Sequence, residues 1–167
     1  MVIVVMGPAG SGKSTVGRAL ATILGWRFVD ADTLHSPGNL ARIGRGDALT
    51  DVDRGPWLDA VAHEIDTAVR SRTPLVVACS ALRQSHRTTL RRSRLPDDSV
   101  RFIYLKVSAA GLARRLRTRV HFASPTLLAS QLTTLEEPTA DEADAFTVNG
   151  EQPVEHVIGS IRQTLTI

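Results

Sequence analysis

The sequence predicts an α/β fold: a three-layer sandwich with a central parallel five-stranded sheet flanked by helices. Three observations carry that expectation. Short β-rich apolar runs alternate with longer stretches of helical periodicity along all 167 residues. The runs 2–6 and 74–79 are almost continuously apolar, as expected of strands covered by helices on both faces. The first of them runs directly into Gly7-Pro8-Ala9-Gly10-Ser11-Gly12-Lys13-Ser14, a glycine-rich turn set between strand and helix.

Strands are expected at 2–6, 26–29, 74–79, 100–106 and 144–149. A first helix, Ser11 to Leu24, puts Val16, Leu20, Ile23 and Leu24 on one face and stops at Gly25. A second helical region covers about 35–45. The turn Leu49-Thr50-Asp51 then leads into a longer helix over about 53–71, apolar at Trp57, Leu58, Val61 and Ile65. A very basic helix follows at 84–93, and Ser108 is the expected N-cap of another that runs to about 118. Residues 119–140 are less regular, with a short helix at 125–134. Pro153 opens the last helix, with Val157, Ile158, Ile161 and Leu165 facing inward. With no internal repeat or linker, residues 1–167 are expected to form one domain.

Hydrophobic residues make up 43% of the chain and aromatics only 4%, so the core should be aliphatic. The formal net charge of +3 suits anionic small molecules. It is too small to argue for nucleic acid, and no basic run is interleaved with aromatics. A single cysteine, Cys79, excludes an internal disulfide framework and fits a reducing cytosol. The apolar run before Gly7 is short and lacks a basic flank, unlike a signal peptide. No stretch approaches membrane-spanning length. A cytoplasmic protein with no membrane partner is expected.

The glycine-rich turn is a P-loop, and its chemistry is that of a phosphate cradle. Successive backbone N–H groups converge at a helix N-terminus, where the helix dipole also favours an anion. Lys13 can reach β- and γ-phosphates, and the Ser14 hydroxyl can ligate Mg²⁺. The fold expected is therefore of the P-loop NTPase type, and the ligand a nucleoside triphosphate.

In open α/β sheets the site lies past the carboxyl ends of the strands. Past the second strand come Asp30, Asp32, His35 and Asn39; past the third come Cys79, Ser80 and Ala81. Asp30 and Asp32, two apart, can point to one side of an extended chain. One could sit on Mg²⁺ through water while the other accepts the proton of an attacking hydroxyl. His35 and Asn39 are one helical turn apart and would share a face. Capping explains Asp51 and Asp53, but a cation at a helix start is unfavourable, so Arg54 points to an anionic partner. Arg87 and Arg91 stack on one helix face; one could bind a carboxylate, and a solvated face explains them equally well. Arg115 and Arg119, four residues apart, lead into 119–140, the candidate for a mobile lid that excludes water and brings cations to the transferred group. His121, Phe122 and Gln131 could help it close. Cys79, Trp26 and Trp57 read as packing residues.

Five segments together are selective: GPAGSGKSTVG at 7–17, DADTLHSPGN at 30–39, LTDVDRGPWL at 49–58, VACSALR at 77–83 and HFASPTLLASQLTTLEEP at 121–138. In them the chain resembles the gluconate kinases (gluconokinases), P-loop kinases related to shikimate kinases. The resemblance implies ATP-dependent phosphorylation of D-gluconate on its 6-hydroxyl, giving 6-phosphogluconate and ADP. It implies that Gly7, Ala9, Gly10, Ser11, Gly12, Lys13, Ser14 and Thr15 contact ATP, and that Ser14 and Asp30 hold Mg²⁺. Asp32 would be the substrate-side acid and base. His35, Asn39, Arg54, Ser80 and Arg87, with His121 and Gln131, would form the sugar-acid pocket. Arg115 and Arg119 resemble lid arginines near the adenine and phosphates, and such enzymes are typically homodimers. The chain departs from the family pattern at Ala31, where Gly is usual, and Arg119-Val120-His121 is one residue short. Other readings are a different small-molecule P-loop kinase, for shikimate or a nucleotide, or a non-catalytic ATP-binding module.

Overall fold

The computed structural model describes residues 1–47, 49–91, 99–117 and 125–167. Its strands are β1 (Val2–Met6), β2 (Arg27–Asp30), β3 (Leu75–Ala78), β4 (Val100–Lys106) and β5 (Ala145–Asn149). They form one five-stranded sheet in the order β2-β3-β1-β4-β5, and every pairing is parallel. The helices are α1 (Lys13–Leu24), α2 (Pro37–Gly44), α3 (Asp51–Arg70), α4 (Gln84–Arg91), α5 (Ala109–Arg117), α6 (Pro125–Thr134) and α7 (Val154–Leu165). A 3-10 turn, Ala31–Leu34, joins β2 to the segment before α2.

The strand at the middle of the sheet explains the layers. All five residues of β1 are fully buried, and their side chains alternate between faces. Val2, Val4 and Met6 pack with Trp57, Leu58, Val61 and Ile65 of α3 and Leu90 of α4. Ile3 and Val5 pack with Val16 and Leu20 of α1 and with Val157, Ile158 and Ile161 of α7. Each such aliphatic side chain contributes about 1.5–3 kcal/mol by leaving water. A third cluster joins α5 to α6 through Leu112, Leu116, Leu128 and Leu132.

The element boundaries shift from expectation for identifiable reasons. Gly12 takes a left-handed φ of 99°, so α1 starts at Lys13 rather than at Ser11. Ser36 caps α2 by accepting the Asn39 N–H at 3.2 Å, which leaves His35 outside that helix. Thr50 and Asp53 form a reciprocal capping box, which starts α3 at Asp51. Ser108 does cap α5, accepting the Gly111 N–H at 3.1 Å. Arg119 and His121, and with them the start of the expected lid, lie outside the described residues.

β1 passes the chain to α1 on one face, whereas its neighbour β3 passes it to α4 on the other. The loops therefore diverge at the carboxyl ends of these two strands and leave a crevice, where ligands bind in such sheets. Among the described residues no helix is long and apolar enough to cross a membrane.

Candidate active site

A cleft of about 470 Å³ opens at that crevice. The P-loop forms its floor through Ala9, Gly10, Gly12, Lys13 and Ser14. Asp30, Asp32, Thr33 and His35 come from the end of β2, Ser80 from the end of β3, and Arg54 and Trp57 from α3. Leu40, Ile43, Asp47 and Leu49 close the far wall, and Leu116, Leu127 and Gln131 close the near side.

The P-loop geometry fits a polyphosphate. Gly7 has φ 141°, and a Cβ there would lie 2.9 Å from Ser11 Oγ. α1 begins with no side-chain cap and no acid in its first turn, so its leading N–H groups face the cleft without a competing anion. Ser11 Oγ is buried with no hydrogen-bond partner among the described residues. Lys13 Nζ donates to Pro8 O at 3.1 Å across the loop. Thr15 is exposed in the first turn of α1, outside the cleft lining. The Ser14 hydroxyl and the Asp30 carboxylate are hard oxygen donors that both line the cleft, a set that suits Mg²⁺ when phosphates supply further ligands.

The two carboxylates reach the cleft by a different backbone from the extended one expected. Asp30 ends β2, and its Oδ1 accepts the Asp32 N–H at 3.2 Å, which caps the 3-10 turn carrying Asp32. Between them Ala31 is fully buried, and its carbonyl accepts the Trp57 indole N–H at 2.7 Å. Trp57 therefore pins the acid-bearing turn from below. It also stacks on His35, with ring centroids 4.4 Å apart and planes 11° from parallel. Sequence reasoning read Trp57 as core, and at 3% exposed it is core. Its second role, as a platform for the cleft, had no sequence signal beyond its place one turn after Arg54.

His35 is half-buried, and its Nδ1 is enclosed with no partner among the described residues. Burial holds its pKa below the ordinary histidine value, against the pull of Asp32, so the neutral ring is favoured. Arg54 lies beside it with a side chain 16% exposed, bonded to Asp51 Oδ1 at 3.3 Å. Arg83 holds the other Asp51 oxygen at 2.7 Å. Asp51 thus orients Arg54 while Arg83 takes part of its charge.

Several expected site residues do other work. Arg87 is fully buried, outside the cleft lining, and its guanidinium grips Glu142 by two hydrogen bonds. The sequence-based expectation is contact with a sugar acid; in this structure its donors are committed to Glu142, Ala81 O and Glu136 O inside the protein. Arg91 likewise bonds Asp144 and Glu142. Asn39 does not share a helical face with His35, because His35 precedes α2; its Nδ2 donates to Asp53 O at 2.9 Å and ties α2 to α3. Arg115 lies against the P-loop backbone, donating to Ser11 O at 3.1 Å and to Gly150 O at 2.7 Å. Gln131 does reach the loop, where its Oε1 accepts the Ala9 N–H at 2.6 Å. Cys79 is buried beneath the site, and burial pushes its thiol up to about 12, which makes it an unreactive wall.

A phosphate cradle at a helix N-terminus, an oxygen donor pair for a metal and a polar acceptor cleft alongside define a P-loop kinase of small molecules. The comparisons with known proteins agree. A family model described as AAA domain matches residues 2–138. Gluconokinase from Gluconobacter oxydans is 44% identical over 152 residues, covering 90% of this chain and 83% of that protein. The crystal structure of a gluconokinase from Sinorhizobium meliloti superposes with a TM-score of 0.83 at 39% identity, covering 99% of this chain and 95% of that one. An unliganded sugar kinase from Janibacter superposes with a TM-score of 0.90 at 38% identity, covering 99% and 94%. The chain belongs to the gluconokinase family.

Proposed function

We infer that the protein transfers the γ-phosphoryl group of ATP to the 6-hydroxyl of D-gluconate, giving 6-phosphogluconate and ADP. The observation that carries this reading is one cleft in which a phosphate cradle faces Asp32, His35 and Arg54. The gluconokinase relatives at 38–44% identity support it.

The P-loop amides and Lys13 bind the polyphosphate and neutralise charge that develops on the transferred group. Ser14 and Asp30 would hold Mg²⁺, which supplies further charge neutralisation on the phosphates when bound. Asp32 accepts the proton of the 6-hydroxyl as its oxygen bonds to the γ-phosphorus and the bond to the ADP oxygen breaks. Arg54 takes the gluconate carboxylate, a role that Arg87 cannot fill while Glu142 occupies its guanidinium. The enclosed Nδ1 of His35 and the hydroxyl of Ser80 meet sugar hydroxyls. Arg119 as a lid arginine near the phosphates and His121 as a group of the sugar-acid pocket complete the reading, with Arg115 holding the loop beneath. A homodimer working in the cytoplasm belongs to the same proposal, and sedimentation of the purified protein checks the dimer.

A coupled assay with Mg-ATP across gluconate, other sugar acids, shikimate and nucleosides tests the substrate. ADP formation dependent on gluconate, with 6-phosphogluconate as product, is expected. Turnover of another acceptor with gluconate left untouched would sink the assignment.

A further inference from the structure

We propose that Arg87 is a positioning residue of the phosphoryl-transfer site: it locks the segment following α6 to the loop carrying Ser80, and so sets how Gln131 meets the P-loop. One buried guanidinium joins two stretches distant in sequence, 81–87 and 136–142. Its Nε and Nη2 donate to the two carboxylate oxygens of Glu142, at 2.8 and 2.5 Å. Its Nη1 donates to Glu136 O at 2.9 Å and to Ala81 O at 3.3 Å.

Both carbonyls lead to the P-loop. Ala81 is fully buried with φ 41°, a left-handed conformation that is costly for a non-glycine residue and persists only where its surroundings enforce it. The preceding residue, Ser80, accepts the Gly7 N–H through its carbonyl at 3.3 Å and lines the cleft. Glu136 lies two residues beyond α6. Its N–H donates to Leu82 O at 2.8 Å, and its Oε2 accepts the Gln84 N–H at 2.7 Å. Arg87 therefore fixes the root of α6 to the same loop that abuts Gly7, and Gln131 in α6 accepts the N–H of Ala9. The two routes meet on the P-loop at Gly7 and Ala9.

Stability alone does not call for this arrangement. A buried ion pair gains little over well-packed apolar residues, because desolvation offsets its attraction. A planar fork with several donors in fixed directions does something apolar packing cannot: it sets the relative orientation of the groups it binds. Lysine would keep the charge and lose that orientation.

The proposal rests on the kinase reading, and its test separates the two. Arg87→Lys and Glu142→Gln are compared with the wild type by thermal unfolding, steady-state kinetics and NMR amide exchange of the ligand-free protein. The expected result, at a temperature where the variants are folded, is a kcat reduced at least about tenfold with KM for gluconate changed less than about twofold. Faster exchange of the Ala9 amide should accompany it. Combining Arg87→Lys with Gln131→Ala should cost no more than the worse single change, since both loosen one contact. Unchanged kcat and Ala9 exchange, or effects that simply multiply, would overturn the proposal in favour of a purely structural ion pair. A KM for gluconate raised more than tenfold at constant kcat would overturn it in favour of direct substrate contact. If the wild type does not phosphorylate gluconate, the function fails, while the exchange of Ala9 in the variants still decides the role of Arg87.

Discussion

The donor and acceptor halves of the cleft are built on opposite principles. The phosphate half is made of backbone. β1 is fully buried, three P-loop glycines adopt positive φ, and α1 offers an uncapped N-terminus. The acceptor half is made of side chains on thin supports. α2 has no buried residue, and it is tied to α3 by Asn39 and by an Arg42–Asp53 ion pair at 2.8 Å. What binds a group common to many substrates is thus set in the core of the sheet. What recognises one acceptor is carried by side chains on the 3-10 turn after β2, the loop after β3 and the first turn of α3.

Mutations can break or sharpen that contrast. The largest effect is expected at the shared boundary: Asp32→Asn should lower kcat about 10²–10⁴-fold in the coupled assay, with unfolding unchanged. Within the donor half, Lys13→Ala should lower kcat about 10²–10³-fold by removing one preorganised charge from the transferred phosphoryl group. In the acceptor half, Arg54→Met should act mainly on KM for gluconate, raising it about 10–100-fold, the worth of a charged hydrogen bond. If Arg54→Met lowered kcat and left KM alone, the division between halves would fail. Thr50→Ala removes the cap that begins α3 and should cost about 1 kcal/mol of stability in denaturant titration, with little effect on KM for ATP.

The smallest effect is pH-dependent. Hydrogen bonds from Arg87 and Arg91 hold the Glu142 carboxyl down at about 2 against an ordinary 4.5. A depressed acid stabilises the fold fully above 4.5, and its contribution is lost as pH falls from there through about 2. Glu142→Gln should therefore flatten the acid limb of the stability profile while leaving the profile above pH 6 parallel to the wild type.

Sequence reasoning saw the cleft itself better than the contacts that support it from outside. Asp30, Asp32, His35, Arg54 and Ser80 were legible because they follow strand ends or break a helix-start rule, and the structure gathers all five on one cleft. Arg87 and Arg91 share a helical face with nothing in the local pattern to say what that face meets. It meets Glu142 and Asp144, more than fifty residues away, just before β5. Trp57 looked like any core aromatic, since a stack on His35 and a bond to Ala31 O involve partners 22 and 26 residues off.

By itself the sequence determined the parallel sheet, the order of its elements and the phosphate cradle. Those rest on periodicity and on contiguous residues, whose geometry follows from local sterics and hydrogen bonding. Only the tertiary structure decided which arginine is open to a substrate and which is sealed. That choice depends on the carboxylate each one meets, and a side chain's partner across the fold is fixed by the packing of sheet and helices, not by its neighbours in the chain.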